Sequence, residues 1–323
     1  MKKRIGVLTS GGDTPGMNAA VRSVVMGAEY ANIPVMAIKK GYAGLMEGRV
    51  EPLTAEDVDE IAEKGGTILK TARSKEFKTK EGQMKALEVI RAFGITDLVV
   101  IGGDGSFQGA RVLSELGVPT IGLPGTIDND LAYTEFTIGF DTAVNCVLGQ
   151  IARIRDTMKS HERVGVIEVM GNRCGDIALY AGIAGGAEQI LIPEVKFDID
   201  DVCSKIREER IRGKMTSIVL VAEGAGDAQK IKNIMREKYD LDAKAIELGY
   251  VQRGGSPTMA DIVLASRMGL RAVELLSEGI GNRLVGIKNN KIIDMDIKEA
   301  LDVKPELNQK LYENYLILSG NII

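Results

Sequence analysis

The sequence predicts an α/β fold built on mostly parallel sheets, and three observations predict it. Short apolar runs rich in β-branched residues alternate along the whole chain with segments whose apolar side chains recur at helical spacing. Several of these runs end abruptly in glycine followed by polar or acidic residues, as parallel strands do where they turn into helices. The length of 323 residues favours two domains.

The first predicted strand, Ile5–Thr9, ends at Ser10-Gly11-Gly12-Asp13 and leads into a helix with apolar residues at helical spacing. This turn is a candidate phosphate cradle, although it matches neither the dinucleotide fingerprint nor the P-loop motif. Beyond it, the patterns predict strands at 35–39, 98–101, 120–123, 164–169, 190–192 and 217–222, and helices at 57–63, 82–93, 140–159 and 259–276.

Residues 98–130 contain two strand–glycine–acid units that are one helix apart. The first strand ends in Gly102-Gly103-Asp104-Gly105-Ser106, and the second ends in Pro124-Gly125-Thr126-Ile127-Asp128-Asn129-Asp130. Ligands of open parallel sheets bind at the carboxyl ends of the strands, so both units are expected to face one crevice. Glycines and helix N-termini favour phosphates, and nearby aspartates suit Mg²⁺. Together they indicate phosphoryl transfer, although either unit alone also fits an ordinary strand-to-helix turn.

Composition excludes several classes of function. The net charge of −4 and the pI near 5.4 argue against a nucleic-acid-binding protein. No apolar run approaches the ~20 residues of a transmembrane helix, and the apolar stretch after the basic N-terminus is too short for a signal peptide, so we expect a cytoplasmic protein. The three cysteines do not have the spacing of metal ligands. The chain has a single histidine, His161, which argues against a serine–histidine triad or a zinc site with two histidines. If the protein uses a general base, we therefore expect it to be the carboxylate of an aspartate or glutamate.

These motifs identify a family. The sequence resembles the bacterial ATP-dependent 6-phosphofructokinases over essentially its whole length. The resemblance lies in I-G-V-L-T-S-G-G-D-T-P-G-M-N-A-A, T-A-R, L-V-V-I-G-G-D-G-S, I-G-L-P-G-T-I-D-N-D, T-I-G-F-D-T-A, R-D-T before S-H-E-R, E-V-M-G, and Q-R-G-G-S-P leading to L-A-S-R-M-G.

The resemblance implies the architecture: two Rossmann-like three-layer domains with mostly parallel sheets and the active site in the cleft between them. Residues 1–139 with 252–304 are expected to form the larger, ATP-binding domain. Residues 140–251 with 305–323 are expected to form the smaller, sugar-phosphate domain. The family also implies a homotetramer with shared active sites, since Arg163 and the residue at position 244 come from a neighbouring subunit.

The resemblance also implies the roles of individual residues. Asp128 is expected to accept the proton of the fructose 1-hydroxyl, with Arg73 and Thr126 also catalytic, and Asp104 to hold Mg²⁺. The expected ATP-binding residues are Gly11, Arg73, Ser74, Gly102, Gly103, Asp104, Gly105 and Ser106. Those for fructose 6-phosphate are Thr126, Ile127, Asp128, Arg163, Met170, Gly171, Asn172, Glu223, Lys244, Tyr250 and Arg253. Those for an ADP or phosphoenolpyruvate effector are Arg22, Arg155, Glu188, Arg212 and Lys214.

Two glycines bear on the phosphoryl donor. Pyrophosphate-dependent members of the family carry aspartate and lysine at the positions of Gly105 and Gly125, where the larger side chains crowd the α-phosphate of a nucleotide. Both positions are glycine in this chain, which favours ATP.

Some positions depart from the family pattern. Asn172 and Lys244 replace arginines and Tyr250 replaces a histidine at the sugar site, which predicts weaker phosphate binding, since lysine lacks the two-pronged guanidinium. Met26 and Ala55 replace arginines of the effector pocket, which predicts blunted regulation. The alternatives are a kinase acting on another sugar phosphate, or a weakly active regulatory paralogue. The basic effector residues also fit an ion-pair network at a subunit interface.

Overall fold

The computed structural model describes residues 2–320. Its strands and helices follow one another as β1 (Ile5–Thr9), α1 (Met17–Tyr30), β2 (Val35–Ile38), α2 (Gly41–Met46), β3 (Val50–Leu53), α3 (Lys80–Ala92), β4 (Asp97–Gly102), α4 (Asp104–Glu115), β5 (Thr120–Pro124), α5 (Phe140–Ser160), β6 (Val164–Val169), α6 (Asp176–Gly185), β7 (Gln189–Leu191), α7 (Ile199–Ile211), β8 (Ser217–Ala222), α8 (Ala228–Tyr239), β9 (Ala243–Glu247), α9 (Met259–Ser277), β10 (Arg283–Lys288), β11 (Lys291–Asp296), α10 (Ile297–Asp302) and α11 (Gln309–Leu318).

The chain folds into two compact units. Unit 1 comprises the residues up to 127 together with 131–142 and 253–305. Unit 2 comprises residues 128–130, 143–252 and those from 306 onwards. The family resemblance placed residues 128–130 in the larger domain, within 1–139, whereas here they group with unit 2. Hydrogen bonds that join Asn129 and Asp130 to the turn after β6 place these three residues in unit 2.

Unit 1 contains a seven-stranded sheet in the order β11-β10-β5-β4-β1-β2-β3. The strands from β10 to β2 are parallel, and β3 and β11 pair antiparallel at the two edges. From β1 the chain winds outward to β2 and β3, then returns to place β4 on the other side of β1. The strand order therefore reverses between β1 and β4, which is where open parallel sheets bind ligands.

Both faces of this sheet are buried, because successive side chains of a strand point to opposite faces. Val99 and Ile101 of β4 pack into one core with α1 and α9. Leu98 and Val100 pack into a second core on the other face with α3 and α4. Helices therefore cover both faces, and unit 1 has three layers.

Unit 2 contains four parallel strands in the order β7-β8-β6-β9. Val164 of β6 lies opposite Ser217 of β8 on one side and Ala243 of β9 on the other. The strand residues Val166 and Val219 pack with α7 and α8 in a core of their own. With both sheets mostly parallel and helices between their strands, the predicted α/β class is confirmed.

One predicted helix is wrong. Residues 57–63 contain only the end of a short 3₁₀ turn, Glu56–Val58, followed by further turns. The carboxylate of Asp57 accepts hydrogen bonds from the backbone N–H and the hydroxyl of Thr54, and Val58 N–H donates to the carbonyl three residues before it. The backbone bonds of this segment, including that from Lys64 N–H to the carbonyl of Ile61, span three residues instead of the four of an α-helix, so the segment forms turns.

Other differences are small or concern elements that the sequence patterns did not reveal. Helix α3 begins two residues before the predicted start, because the Thr79 side chain caps it by accepting from Gly82 N–H. The 3₁₀ turn Gly249–Arg253 interrupts the segment predicted as a loop. Cys146, Cys174 and Cys203 are free thiols. Among residues 2–320, no helix combines the length and apolar composition that crossing a bilayer requires.

Candidate active site

The carboxyl ends of β1 and β4 lie side by side at the point where the strand order of unit 1 reverses. Gly11 follows β1 with a positive φ of 90°, which glycine adopts without strain. The hydroxyl of Ser106 donates to the carbonyl of Ser10 at 3.0 Å. A Cβ on Gly102 would lie 2.5 Å from that same carbonyl oxygen, so only glycine fits. The two loops are therefore packed directly against each other.

Helix α4 begins at Asp104, two residues after the end of β4, so its N-terminus lies at these strand ends. Its N-cap residue, Gly103, has no side chain to satisfy the first backbone N–H groups of the twelve-residue helix. Such N–H groups, together with the positive end of the helix dipole, form an anion site. Asp104 is exposed at the first position of the helix, and a Cβ on Gly105 would meet nothing within 4 Å.

The segment that carries Arg73 lies beside the same loops. The hydroxyl of Thr71 donates to the carbonyl of Gly11 at 2.8 Å. Arg73 is exposed, and the hydroxyl of Ser74 accepts from the backbone N–H of Phe77 at 3.1 Å. The structure therefore brings the residues predicted to bind ATP together at one edge of unit 1.

The end of β5 lies beside the end of β4. Gly125 N–H donates to the carbonyl of Gly102 at 3.0 Å, and a Cβ on Gly103 would lie 3.7 Å from the Cβ of Thr126. Ile127 is buried. The guanidinium of Arg253 reaches the loop after β1, where a Cβ on Gly12 would lie 3.4 Å from Nη1.

In unit 2, some of the residues predicted for the sugar site gather at the carboxyl ends of the strands. Met170, Glu223 and Tyr250 follow β6, β8 and β9, and they line an open depression of about 260 Å³. The side chain of Gln252, which the sequence prediction missed, accepts from Met170 N–H at 3.1 Å. Tyr250 is 79% exposed, so its hydroxyl is accessible to a ligand.

The turn after β6 holds the Asp128-Asn129-Asp130 segment in unit 2. The side-chain amide of Asn129 donates to Oδ2 of Asp176 at 2.7 Å. The side-chain amide of Asn172 donates to Oδ2 of Asp130 at 3.4 Å. Asp128 is half-buried, with its Oδ1 oxygen inaccessible to solvent. These bonds explain why the three residues group with unit 2.

Arg163 and Lys244 lie at the opposite end of the same sheet. Arg163 precedes β6, Lys244 is the second residue of β9, and both line a depression of about 640 Å³. Because β6 has six residues and a strand rises about 3.3 Å per residue, roughly 20 Å separates this end from Met170. Within one chain, the residues predicted for the sugar phosphate therefore form two separate groups.

A carboxylate that the sequence prediction missed lies between these two cations. Asp242 Oδ2 accepts from Arg163 Nε at 2.6 Å, and Asp242 Oδ1 lies 3.8 Å from Lys244 Nζ. The hydrogen bond from Arg163 holds the pKa of Asp242 below its usual value, so the carboxylate is ionised at neutral pH. Arg236 of α8 lines the same depression.

Three of the residues predicted to bind an effector form an ion-pair cluster in unit 2. Glu188 is only 6% exposed, and its Oε1 lies 3.2 Å from Arg155 Nη1 and 3.1 Å from Lys214 Nζ. Its other oxygen accepts from the backbone N–H of Ile218 at 2.6 Å. Arg212 is exposed nearby in sequence, whereas Arg22 belongs to α1 of unit 1.

Asp104 offers the kind of oxygen ligand that a magnesium ion takes. Within residues 2–320, no group of three or more histidine, cysteine, aspartate or glutamate side chains could hold a metal by itself. Mg²⁺ typically takes one or two carboxylates, substrate phosphates and waters. The exposed Asp104, placed at an anion-binding helix N-terminus, fits that description.

Comparisons with known proteins identify the family. The family model described as Phosphofructokinase matches residues 4–276. The chain is 58% identical over 311 residues to the ATP-dependent 6-phosphofructokinase of Clostridium tetani, covering 96% of this chain and 98% of that protein. It is 55% identical to the protein of that name from Alkaliphilus metalliredigens, over 98% of this chain and 99% of the other. The chain belongs to the phosphofructokinase family.

Solved phosphofructokinase structures share the fold. The phosphofructokinase of Saccharomyces cerevisiae superposes with a TM-score of 0.91 at 36% identity over 98% of this chain, which spans about half (50%) of the yeast chain. A pyrophosphate-dependent phosphofructokinase from Marinobacter aquaeolei superposes with a TM-score of 0.86 over 98% of this chain and 91% of its own, at 22% identity. The second likeness concerns the fold alone.

Three residues of this phosphofructokinase-family chain, Asp176, Asp242 and Gln252, escaped the sequence analysis. Gln252 belongs to the quoted Q-R-G-G-S-P motif, and this was its only signal. Asp176 and Asp242 look like ordinary aspartates at a helix start and before a strand. Their partners, Asn129 and Arg163, lie 47 and 79 residues away in sequence, so no local pattern joins them.

Proposed function

We propose that this chain is an ATP-dependent 6-phosphofructokinase. It transfers the γ-phosphoryl group of ATP to the 1-hydroxyl of fructose 6-phosphate, giving fructose 1,6-bisphosphate and ADP in glycolysis. The observation that carries the proposal is the 55–58% identity to relatives with that name over nearly the full length of both chains.

The ATP site is proposed at the edge of unit 1 where β1 and β4 end. The start of α4, which no side chain caps, and the loop at Gly11 suit the nucleotide phosphates. The full proposed set is Gly11, Arg73, Ser74, Gly102, Gly103, Asp104, Gly105 and Ser106. The open space at Gly105 leaves room for the α-phosphate, which supports ATP over pyrophosphate as the donor.

Asp104 is proposed to hold the Mg²⁺ that accompanies ATP. When bound, the ion neutralises negative charge on the phosphate oxygens. The guanidinium of Arg73, which no packing confines, can turn toward those phosphates and stabilise the charge on the transferred group.

Asp128 is proposed to accept the proton of the attacking 1-hydroxyl. Phosphoryl transfer requires mainly positioning and charge neutralisation, so a carboxylate of ordinary basicity suffices. Thr126 and Ile127 precede it at the end of β5, and the bond from the Thr137 hydroxyl to the Thr126 carbonyl, 2.7 Å long, supports this loop.

The sugar phosphate is proposed to contact residues from two subunits. Met170, Gly171, Asn172, Glu223 and Tyr250 follow the carboxyl ends of unit 2 strands, and Arg253 completes this set. Arg163 and Lys244 lie at the opposite end of the same sheet, so they are proposed to serve the site of a neighbouring copy. This separation of the two groups supports a homotetramer with shared active sites.

A regulatory site for ADP or phosphoenolpyruvate is proposed at Arg22, Arg155, Glu188, Arg212 and Lys214. The ion pairs of Glu188 with Arg155 and Lys214 support it only in part, because they occupy both cations. A phosphate-bearing effector must compete with this carboxylate, which together with Met26 and Ala55 favours weak regulation.

The test is the formation of fructose 1,6-bisphosphate by the purified chain with Mg-ATP or Mg-pyrophosphate, over a wide range of fructose 6-phosphate concentrations. We expect saturable turnover with ATP and none with pyrophosphate, from a protein that elutes as a tetramer. An inactive protein that still binds ATP would disprove the substrate assignment. Turnover on another sugar phosphate at lower KM would move the function to that substrate.

The cytoplasmic location remains a prediction.

A further inference from the structure

The carboxylate of Asp176 accepts a hydrogen bond from the segment 128–130, which carries the proposed proton acceptor. Asp176 is the first residue of the ten-residue helix α6, and its Oδ2 accepts the 2.7 Å bond from the side-chain amide of Asn129. Asn129 directly follows Asp128 and has a positive φ of 53°. Asparagine tolerates this left-handed conformation, and the bond to its side chain helps to hold it there.

Asp176 is itself rigidly placed. Gly175 N–H donates to Glu194 Oε1 at 2.8 Å, and a Cβ on Gly175 would lie 2.4 Å from the Cβ of Ile192. Cys174 N–H donates to the carbonyl of Gly171 at 2.8 Å and closes the turn before the helix. The carboxylate of Asp176 is therefore presented from a turn that cannot shift without breaking several contacts.

The same turn holds the neighbours of Asp128 at further points. Cys174 Sγ lies 3.9 Å from the carbonyl oxygen of Asn129 and donates a weak hydrogen bond to it. The side-chain amide of Asn172 donates to Asp130, and its backbone N–H donates to Glu223 Oε1 at 2.7 Å. Asn172, the residue that departs from the family pattern, thus supports the segment.

The bond between Asn129 and Asp176, at 2.7 Å, is shorter than the bond from Asn172 to Asp130 and the contact of Cys174 with Asn129. Burial raises the pKa of Asp176, the hydrogen bond from Asn129 opposes that rise, and the neighbouring Glu194 adds to it. An ionised carboxylate that accepts from an amide in a partly buried place forms a charge-assisted bond, shorter and stronger than a neutral one. Such bonds hold a catalytic group in a productive orientation.

We propose that Asp176 is a positioning residue for the phosphoryl transfer, because its hydrogen bond to Asn129 fixes the backbone next to Asp128 and so orients the proton acceptor. The proposal rests on the proposed function. In this role Asp176 acts through Asn129 and not on the substrate, so its loss is expected to lower kcat and leave the KM for ATP unchanged.

The experiment compares wild type, Asp176→Ala, Asn129→Asp and the double variant Asn129→Asp/Asp176→Asn. Removal of the acceptor in Asp176→Ala is expected to lower kcat about ten- to hundredfold, the size of effect that a small misplacement produces. Asn129→Asp sets two carboxylates against each other and should also lose activity. The double variant restores one donor and one acceptor, so its kcat should recover to well above that of Asn129→Asp.

The control is Asp227→Ala, which removes an aspartate from the start of another helix of unit 2. Asp227 caps α8 by accepting from Lys230 N–H at 2.9 Å, so this variant tests the loss of a helix cap alone, and its kcat should stay near wild type. Circular dichroism and the KM for ATP report whether each variant is folded.

The outcomes are separable. Wild-type turnover on fructose 6-phosphate tests the proposed function by itself, and an inactive wild type overturns both proposals. With an active wild type, an unchanged kcat in Asp176→Ala, or a double variant no better than Asn129→Asp, overturns the positioning role. If Asp176→Ala does not fold, the positioning role is tested by comparing the kcat of Asn129→Asp with that of the double variant. Both of these variants keep side chains of nearly native shape.

Discussion

The carboxylate of Asp242 forms ion pairs with Arg163 and Lys244, the two cations that are proposed to bind the 6-phosphate of the sugar. Removing its charge should therefore strengthen the binding of fructose 6-phosphate. Asp242→Asn keeps the shape of the side chain and removes one negative charge. The bond to Arg163 is 2.6 Å long and the separation from Lys244 is 3.8 Å. A phosphate dianion must displace or share these contacts, and the variant relieves that competition.

The expected magnitude follows from exposure. The side chains of Arg163 and Asp242 are 31% and 46% exposed, so solvent screens much of their attraction. Exposed pairs of this kind typically contribute about 0.2–1 kcal/mol. With the weaker pair to Lys244 added, we expect the KM for fructose 6-phosphate to fall roughly two- to fivefold, since 1.4 kcal/mol corresponds to about tenfold.

The assay is steady-state turnover at low salt and again at several hundred millimolar salt, with inorganic phosphate as a competitive inhibitor. Both the KM for fructose 6-phosphate and the inhibition constant for phosphate should fall, kcat should be unchanged, and the effect should shrink at high salt. Glu237→Gln is the matched control, because Glu237 lines the same depression but makes no ion pair with Arg163 or Lys244 in the described structure. An unchanged KM in Asp242→Asn, or an equal fall in Glu237→Gln, would refute the reasoning.

Three further predictions concern the base, the donor and the fold. Asp128→Ser should lower kcat about 10²–10⁴-fold with ATP binding intact by calorimetry, and surviving activity would exclude Asp128 as the base. Gly105→Asp should raise the KM for ATP at least about tenfold with an unchanged melting temperature, because its Cβ meets open space while its charge faces the phosphates. Asp261→Asn should lower the free energy of unfolding by about 1–3 kcal/mol in urea, because Asp261 accepts from Gly139 N–H and from the N–H and hydroxyl of Thr142. Burial raises the pKa of Asp261, so its contribution to wild-type stability falls as pH rises from the unfolded-state pKa through the folded-state pKa, and the variant should lack this slope.

Local patterns were sufficient to predict much of this molecule. The alternation of apolar strands and amphipathic helices predicted the α/β class, because strand and helix periods are properties of short segments. The glycines at the ends of β1, β4 and β5 marked where these strands end. A tight turn or a close backbone contact leaves no room for a side chain, so it is visible in the local sequence as glycine. The segment 57–63 shows the limit of such patterns: the sequence predicted a helix there, yet its backbone hydrogen bonds span three residues and form turns.

Family motifs added the expected roles of residues and implied that Arg163 and Lys244 serve a neighbouring subunit, and the structure supplies the geometric reason. Arg163 and Met170 are seven residues apart in sequence and share a predicted ligand. They nevertheless lie at opposite ends of β6, because an extended strand separates them by its full length. The assignment of one sugar phosphate to both therefore requires a second copy of the chain.

The sequence by itself determined the fold class, the family and the strand ends that are proposed to bind phosphates, because each depends on contiguous residues. Only the tertiary structure decided which distant side chains meet. The strand order brings β9 beside β6 and so places Asp242 on Arg163, and the turn before α6 places Asp176 on Asn129. Such pairs depend on which strands and turns become neighbours, a property of the whole chain that no local stretch contains.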